Sequence, residues 1–191
     1  YSLIKEYING EFSREELIEY LDNLGYNPLV IEKGEDLIFE LETPANRGDL
    51  LSIIGICREI LPMKSLSLKL PEIKFTEGIS EKIKVRIENY SDCPYYSCRI
   101  MRNVKVGPSP SWLKERIEKM GFRSINNIVD ISNFVTGLIG QPIHIFDLQK
   151  IKGEIIVRRG RENEEIETLD GKRRKLNSEI LVIADSEKAI A

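Results

Sequence analysis

Residues 124–148, reading SINNIVDISNFVTGLIGQPIHIFDL, carry only two charged side chains, Asp130 and Asp147. The charged fraction of the chain is 31%, which would place roughly eight charges in a stretch of this length. So uncharged a run must be covered by the rest of the fold or shaped to meet something else. If 125–138 is a helix, Ile125, Ile128, Val129, Ser132 and Val135 share one face. Asn126, Asp130, Asn133 and Gly137 follow each other along another at spacings of four, three and four. Solvated faces in this chain are built differently, as in Lys114-Glu-Arg116 and Glu118-Lys119. Asn, Asp and Gly are shorter and poorer helix formers, and suit close approach and hydrogen bonding better than solvation. The single histidine, His144, follows in the apolar context Gln-Pro-Ile-His-Ile-Phe. Two readings fit these residues. In one, 125–138 is a central core helix, its polar groups bond neighbouring backbone, and His144 is a satisfied interior residue. In the other, the helix and the turn after it form the wall of a binding site.

Around this stretch the pattern predicts an α+β fold, with a small helix–strand–helix unit over 1–66, a linker over 67–82 and a mixed α/β domain over 83–191. Ser13-Arg-Glu-Glu16 is a capping box, followed by Leu17, Ile18, Leu21 and Leu24 at helical spacing and by Gly25 as a stop. A strand is expected over 37–41. A second helix is expected from about 50 to 61, entered through Arg47-Gly-Asp49 and ended by Pro62. The linker is marked by Pro71, Gly78 and many Ser, Lys and Glu residues. Beyond it, strands are expected over 83–87 and 95–101. A helix follows, capped by Ser109 with Pro110 in its first turn and ending at Met120-Gly121. Further strands are expected near 155–158, 165–169, 172–176 and 180–184, with Asp170-Gly171 as a type I′ hairpin turn between two of them. No repeat of 20–50 residues is visible.

Charge and cysteines narrow the function classes. Residues 1–70 hold 13 acidic and 7 basic side chains, a net of −6, whereas 71–191 hold 18 acidic and 21 basic, a net of +3. A binder of nucleic acid through a large basic field would show more than this, and a helical nucleic-acid reader over 1–62 is opposed by its own charge. If RNA is a partner, its contact falls to the second half and is limited in extent. Cys57, Cys93 and Cys98 are odd in number and lack CxxC spacing, which predicts free thiols in a reducing, cytoplasmic setting and no metal cage. No run of about 18 apolar residues predicts a membrane span. There is no secretory signal pattern, Gly-rich phosphate loop or GxSxG elbow. The start at Tyr1 and the strand pattern close to Ala191 read as cuts from a longer chain.

Several segments together resemble the β subunit of bacterial phenylalanine–tRNA ligase. They are 43–59 (TPANRGDLLSIIGICRE), 121–133 (GFRSINNIVDISN), 140–147 (GQPIHIFD), 168–171 (TLDG) and 181–185 (LVIAD). They occur in the family's order over nearly the whole chain. The resemblance implies a synthetic site on a separate α subunit, a heterotetramer, and a β subunit that holds tRNA(Phe). It also implies a distinct site in the β subunit that hydrolyses tyrosine wrongly attached to that tRNA. ATP and magnesium serve the full enzyme, with no cofactor in this region. Carried over by position, His144, Asn133 and Ser132 are the catalytic candidates, and Arg123, Asn126, Asp130 and Gln141 the substrate- or tRNA-binding ones. Ser132 stands where the family usually has threonine, keeping the hydroxyl and losing a methyl. The family's OB-fold insert would fall between about Ile31 and Leu37, where this sequence has only a handful of residues. A Gly-rich turn and a glutamate that complete the family's pocket would lie beyond Ala191, so the segment alone is expected not to edit efficiently.

An aminoacyl ester is already activated, so its hydrolysis needs a placed water and a stabilised oxyanion more than a strong nucleophile. Rejecting tyrosine after the fact also needs a polar partner for the phenol, because burying that hydroxyl unpaired costs about 1–3 kcal/mol. In this reading Asn133 and Ser132 hydrogen-bond substrate or water. Arg123 holds the terminal phosphate or ribose, and His144 orients water or a ribose hydroxyl, acting as a base when neutral. Two other readings are a tRNA-positioning module without activity of its own, and a free-standing trans-editing deacylase.

Overall fold

The structure, a computed structural model, describes residues 1–78, 80–168 and 170–191. Helices and sheets are mixed in an α+β arrangement, and the chain divides into two compact units. The first comprises 1–74 together with 106–145, and the second 75–105 together with 146–191. The division differs from the expected boundaries: residues 106–145 pack with the N-terminal unit, while 75–105 join the C-terminal one.

In the first unit, α1 (Ser2–Glu6) leads through β1 (Ile8–Asn9) to α2 (Arg14–Asn23). The capping box forms as expected: Ser13 Oγ accepts from the Glu16 amide at 3.1 Å and Glu16 Oε2 accepts from the Ser13 amide at 2.8 Å. Leu17 and Leu21, four residues apart, are both sealed from water. The antiparallel pair β2 (Leu29–Lys33) and β3 (Asp36–Glu40) spans 31–37, the place where the sequence has only a handful of residues in lieu of the family's insert. Lys33 pairs with Asp36, so only Gly34 and Glu35 form the turn, with Gly34 at φ 64°. A 3₁₀ turn at Gly48–Leu50 precedes α3 (Ile53–Ile60), which is capped by Ser52. Arg47 bridges Asp49 (3.0 Å) and Glu59 (2.6 Å), and Tyr26 donates to Glu59 at 2.7 Å, which fixes the entry loop onto α3. β4 (Ser67–Leu68) pairs with β1. The core gathers Ile4, Phe12, Leu17, Leu21, Ile54 and Ile60 around Cys57, whose thiol burial pushes up to about 12.

The remaining helices of this unit are α4 (Ser111–Lys119) and α5 (Asn127–Ile139). Arg116 pairs with Glu6 at 2.7 Å and Lys119 with Asp36 at 3.0 Å, clipping α4 to the N-terminal elements. The expected cap at Ser109 is corrected here. The N-cap is Pro110, which has no side-chain acceptor, and Ser109 Oγ instead donates to Asp130. A carboxylate 21 residues away outcompetes the local helix amides, because a charge-assisted bond is the stronger one.

In the second unit, β5 (Val85–Ile87) runs parallel to the central strand β6 (Ile155–Arg159), and β9 (Leu181–Ala184) runs antiparallel to it. A hairpin of β7 (Glu165–Glu167) and β8 (Arg173–Lys175) extends from the sheet's sequence neighbourhood. The strand expected over 165–169 ends at a residue, Leu169, that lies outside the described ones, as does Ile79 in the expected linker. The hairpin tip is wider than the expected two-residue type I′ turn: the Thr168 amide donates to the Lys172 carbonyl at 2.9 Å, and Gly171 lies at φ 73°. The strand expected over 95–101 is absent: these residues form no ladder, and Tyr95 and Met101 are exposed. Aromatic and β-branched composition describes a half-buried surface, and without a covering layer it does not make a strand.

Arg158, 1% exposed, lies on β6 and forms a two-pronged pair with Glu164 at 2.8 and 2.6 Å. Glu164 also accepts from the amides of Arg161 (3.0 Å) and Ala189 (2.9 Å), tying the turn after β6 to the tail after β9. The Arg158 guanidinium first, and these amides, hold the Glu164 carboxyl down to about 2 against its ordinary 4.5.

Two predictions follow from these contacts. A Cβ at Gly55 would sit 1.7 Å from the Asp49 carbonyl oxygen, so Gly55→Ala is expected to cost about 2 kcal/mol net of its better helix propensity, read from the urea midpoint. Because folding depresses the Glu164 pKa, its contribution is complete above pH 4.5 and fades as pH falls toward 2. The thermal-midpoint gap between wild type and Glu164→Gln should therefore shrink over that window, and a gap independent of pH would contradict the assignment.

Candidate functional site

The charge-poor stretch folds as α5 and the segment after it, and both ends of the helix are locally determined. Asn126 Oδ1 accepts from the amides of Ile128 and Val129, each at 3.0 Å, giving the N-cap. Gly140 ends the helix in the left-handed region (φ 77°), donating to Thr136 at 2.8 Å. Asn127 mimics a backbone pair with Gly107: its amide donates to the Gly107 carbonyl at 2.9 Å and its Oδ1 accepts from the Gly107 amide at 3.0 Å. Gly137 leaves room for Met120 and Phe122, since a Cβ there would lie 2.2 Å from Met120 Cε.

Asp130 is fully buried in the first turn of α5. Its Oδ2 accepts from Ser109 Oγ and from Ser124 Oγ (2.6 Å), and its Oδ1 accepts from the Ile125 amide at 2.9 Å. Burial works to raise its pKa, but these hydroxyl and amide donors outweigh it and leave the carboxyl below its ordinary 3.8. Asn126 and Asp130 are thus engaged by groups of their own fold, the backbone-bonding reading of the two positions.

The other candidates present themselves differently. Arg123 is exposed in the turn between α4 and α5. Ser132 and Asn133 are half-buried on α5, with Ser132 Oγ donating to the Val129 carbonyl at 2.8 Å. Gln141 and His144 are exposed after the Gly140 cap, and Gln141 Nε2 reaches the Pro142 carbonyl at 3.4 Å. All seven candidates belong to the first compact unit. Two hollows lie elsewhere. One is lined by Glu16, Tyr20 and Lys64, the other by Ile83, Ile100, Leu148 and Ile151, and neither includes a candidate residue. Sequence reasoning missed Ser109 and Ser124, whose role depends on a contact that no local pattern announces. Among the described residues no group of three or more His, Cys, Asp or Glu is placed to hold a metal ion. Nor is any helix among them long and apolar enough to cross a membrane.

Residues 92–191 match the model of the family described as the B3/4 domain. The phenylalanine–tRNA ligase beta subunit of Fusobacterium nucleatum is 52% identical over 159 residues, 82% of this chain and 20% of that protein. That of Carboxydothermus hydrogenoformans is 48% identical over 160 residues, again 82% and 20%. That of Rhodopirellula baltica is 39% identical over 193 residues, covering 98% of this chain and 28% of that protein. An alignment of that length over 98% of this chain leaves no room for a long insertion in the matched region of the Rhodopirellula protein. The chain thus spans between a fifth and somewhat over a quarter of the length of these relatives.

Loss of the Asn126 cap should be visible by itself. Asn126→Ala is expected to lower stability by about 1 kcal/mol in urea denaturation, and Asn126→Ser, which keeps a capping oxygen, to restore most of it.

Proposed function

The chain belongs to the B3/4 domain family, and on that footing we propose that it forms part of a phenylalanine–tRNA ligase β subunit and supplies a wall of its hydrolytic editing pocket. The observation that carries this reading is the company kept by α5. A helix nearly free of charge offers Ser132 and Asn133, an exposed guanidinium at Arg123 precedes it, and an exposed imidazole at His144 follows its glycine cap. In this proposal Arg123 binds a phosphate or the ribose at the acylated end of tRNA(Phe). Ser132 and Asn133 hydrogen-bond the aminoacyl group or the attacking water, and His144 orients that water and takes its proton as the ester carbonyl is attacked. His144 then returns that proton to the ribose oxygen as the ester bond breaks, releasing tyrosine and free tRNA.

The same proposal gives the whole protein an α-subunit partner in a heterotetramer, a cytoplasmic setting, and ATP and magnesium for the synthetic reaction. In this proposal those two groups act at the synthetic site on the α subunit. No editing step passes through them. A second reading, a tRNA-positioning module without activity, draws on the internal engagement of Asn126 and Asp130.

The test uses the full αβ enzyme and Tyr-tRNA(Phe). His144→Ala is expected to slow deacylation by roughly a hundredfold and Arg123→Ala by about tenfold, with Phe-tRNA synthesis unchanged. Wild-type deacylation in both variants sinks the pocket reading. If tRNA affinity drops at the same time, the positioning module takes its place.

A further inference from the structure

We propose that Asp130 is the positioning residue of this wall, a buried clamp that sets where Arg123 stands relative to Ser132 and Asn133. The inference rests on the editing reading of those three residues and adds a member that touches no substrate, because Asp130 has no exposed surface.

The clamp joins three pieces of chain. Ser109 belongs to the loop before α4, Ser124 and Ile125 to the turn that carries Arg123, and Asp130 itself to the first turn of α5. Ser124 is the residue next to Arg123, so its 2.6 Å bond to Asp130 Oδ2 fixes the backbone from which the guanidinium projects. The Ile125 amide, bonded at 2.9 Å, fixes the other side of that position. Asp130 in turn lies two and three residues before Ser132 and Asn133 on one rigid helix. The carboxylate thus references an exposed side chain to two half-buried ones through hydrogen bonds.

The chemistry explains why an aspartate suits the task. The groups that face it are hydroxyls and amides, which all donate, and a carboxylate has enough lone pairs to accept from every one. Its charge is favoured by the N-terminal turn of α5, and bonds to a charged acceptor are roughly twice as strong as neutral ones. Asparagine has nearly the same shape, and the two serine hydroxyls can rotate to accept from its amide. Asp130→Asn is therefore expected to loosen the clamp and leave the fold in place.

The experiment uses the full αβ enzyme and measures steady-state deacylation of Tyr-tRNA(Phe). Asp130→Asn should lower kcat about tenfold with little change in KM, since misplaced groups bind but react poorly. Ser124→Ala should give a smaller loss in the same direction and serves as the second variant should Asp130→Asn fold poorly. The decisive comparison is the double variant Arg123→Ala/Asp130→Asn: if Asp130 acts through Arg123, it hydrolyses no more slowly than Arg123→Ala alone. Fully multiplicative losses overturn the proposal, as does unchanged amide exchange over 123–126 in Asp130→Asn. Should Arg123→Ala and His144→Ala both hydrolyse at the wild-type rate, the pocket reading falls and this inference with it. Should those two lose activity while Asp130→Asn and Ser124→Ala keep it, only the positioning role is overturned.

Discussion

A carboxylate removed from water must be met by several donors, or its burial costs several kcal/mol. Asp130 meets this demand by drawing on sequence-distant groups, and the arrangement of the candidate wall depends on it. Ser109 is pulled away from capping α4, Ser124 and Ile125 are held in a turn, and α5 starts where that turn ends. The surrounding devices agree with this placement: the Asn126 cap, the Asn127–Gly107 pair and the left-handed Gly140 fix the helix at both ends.

Local rules made much of this legible. The capping box of α2, the glycine stops and the extent of α5 all follow from short-range hydrogen bonding and came out within a residue or two. Errors arose wherever a distant partner decided the outcome. Ser109-Pro110 has the form of a helix start, but Ser109 serves Asp130. Residues 95–101 have strand composition and find no neighbouring strand. Asp170-Gly171 reads as a two-residue turn, yet the bond from Thr168 to Lys172 sets a wider loop. The grouping of 106–145 with the N-terminal unit is likewise a matter of long-range packing, through pairs such as Arg116–Glu6.

The candidate site divides along the same line. Asn126 and Asp130 stand out in the sequence as short polar groups that could bond neighbouring backbone, but the cap role of Asn126 and the serine partners of Asp130 are legible only in the structure. Asn133 and His144 stand out in the pattern by stripe and context, but Arg123 does not, and the roles given to all of Arg123, Ser132, Asn133 and His144 rest on the likeness to phenylalanine–tRNA ligase β subunits. Between Ile31 and Leu37, where the sequence has only a handful of residues, β2 and β3 close on each other directly through the Gly34-Glu35 turn.

The central claim is that this wall faces the acylated end of the tRNA. The most direct test is a photocrosslink from tRNA(Phe) carrying a photoreactive, non-hydrolysable 3′-aminoacyl amide to the intact αβ enzyme. Adducts are expected in peptides spanning 123–144, suppressed by competing Tyr-tRNA(Phe). Adducts confined to other parts of the β subunit would contradict it.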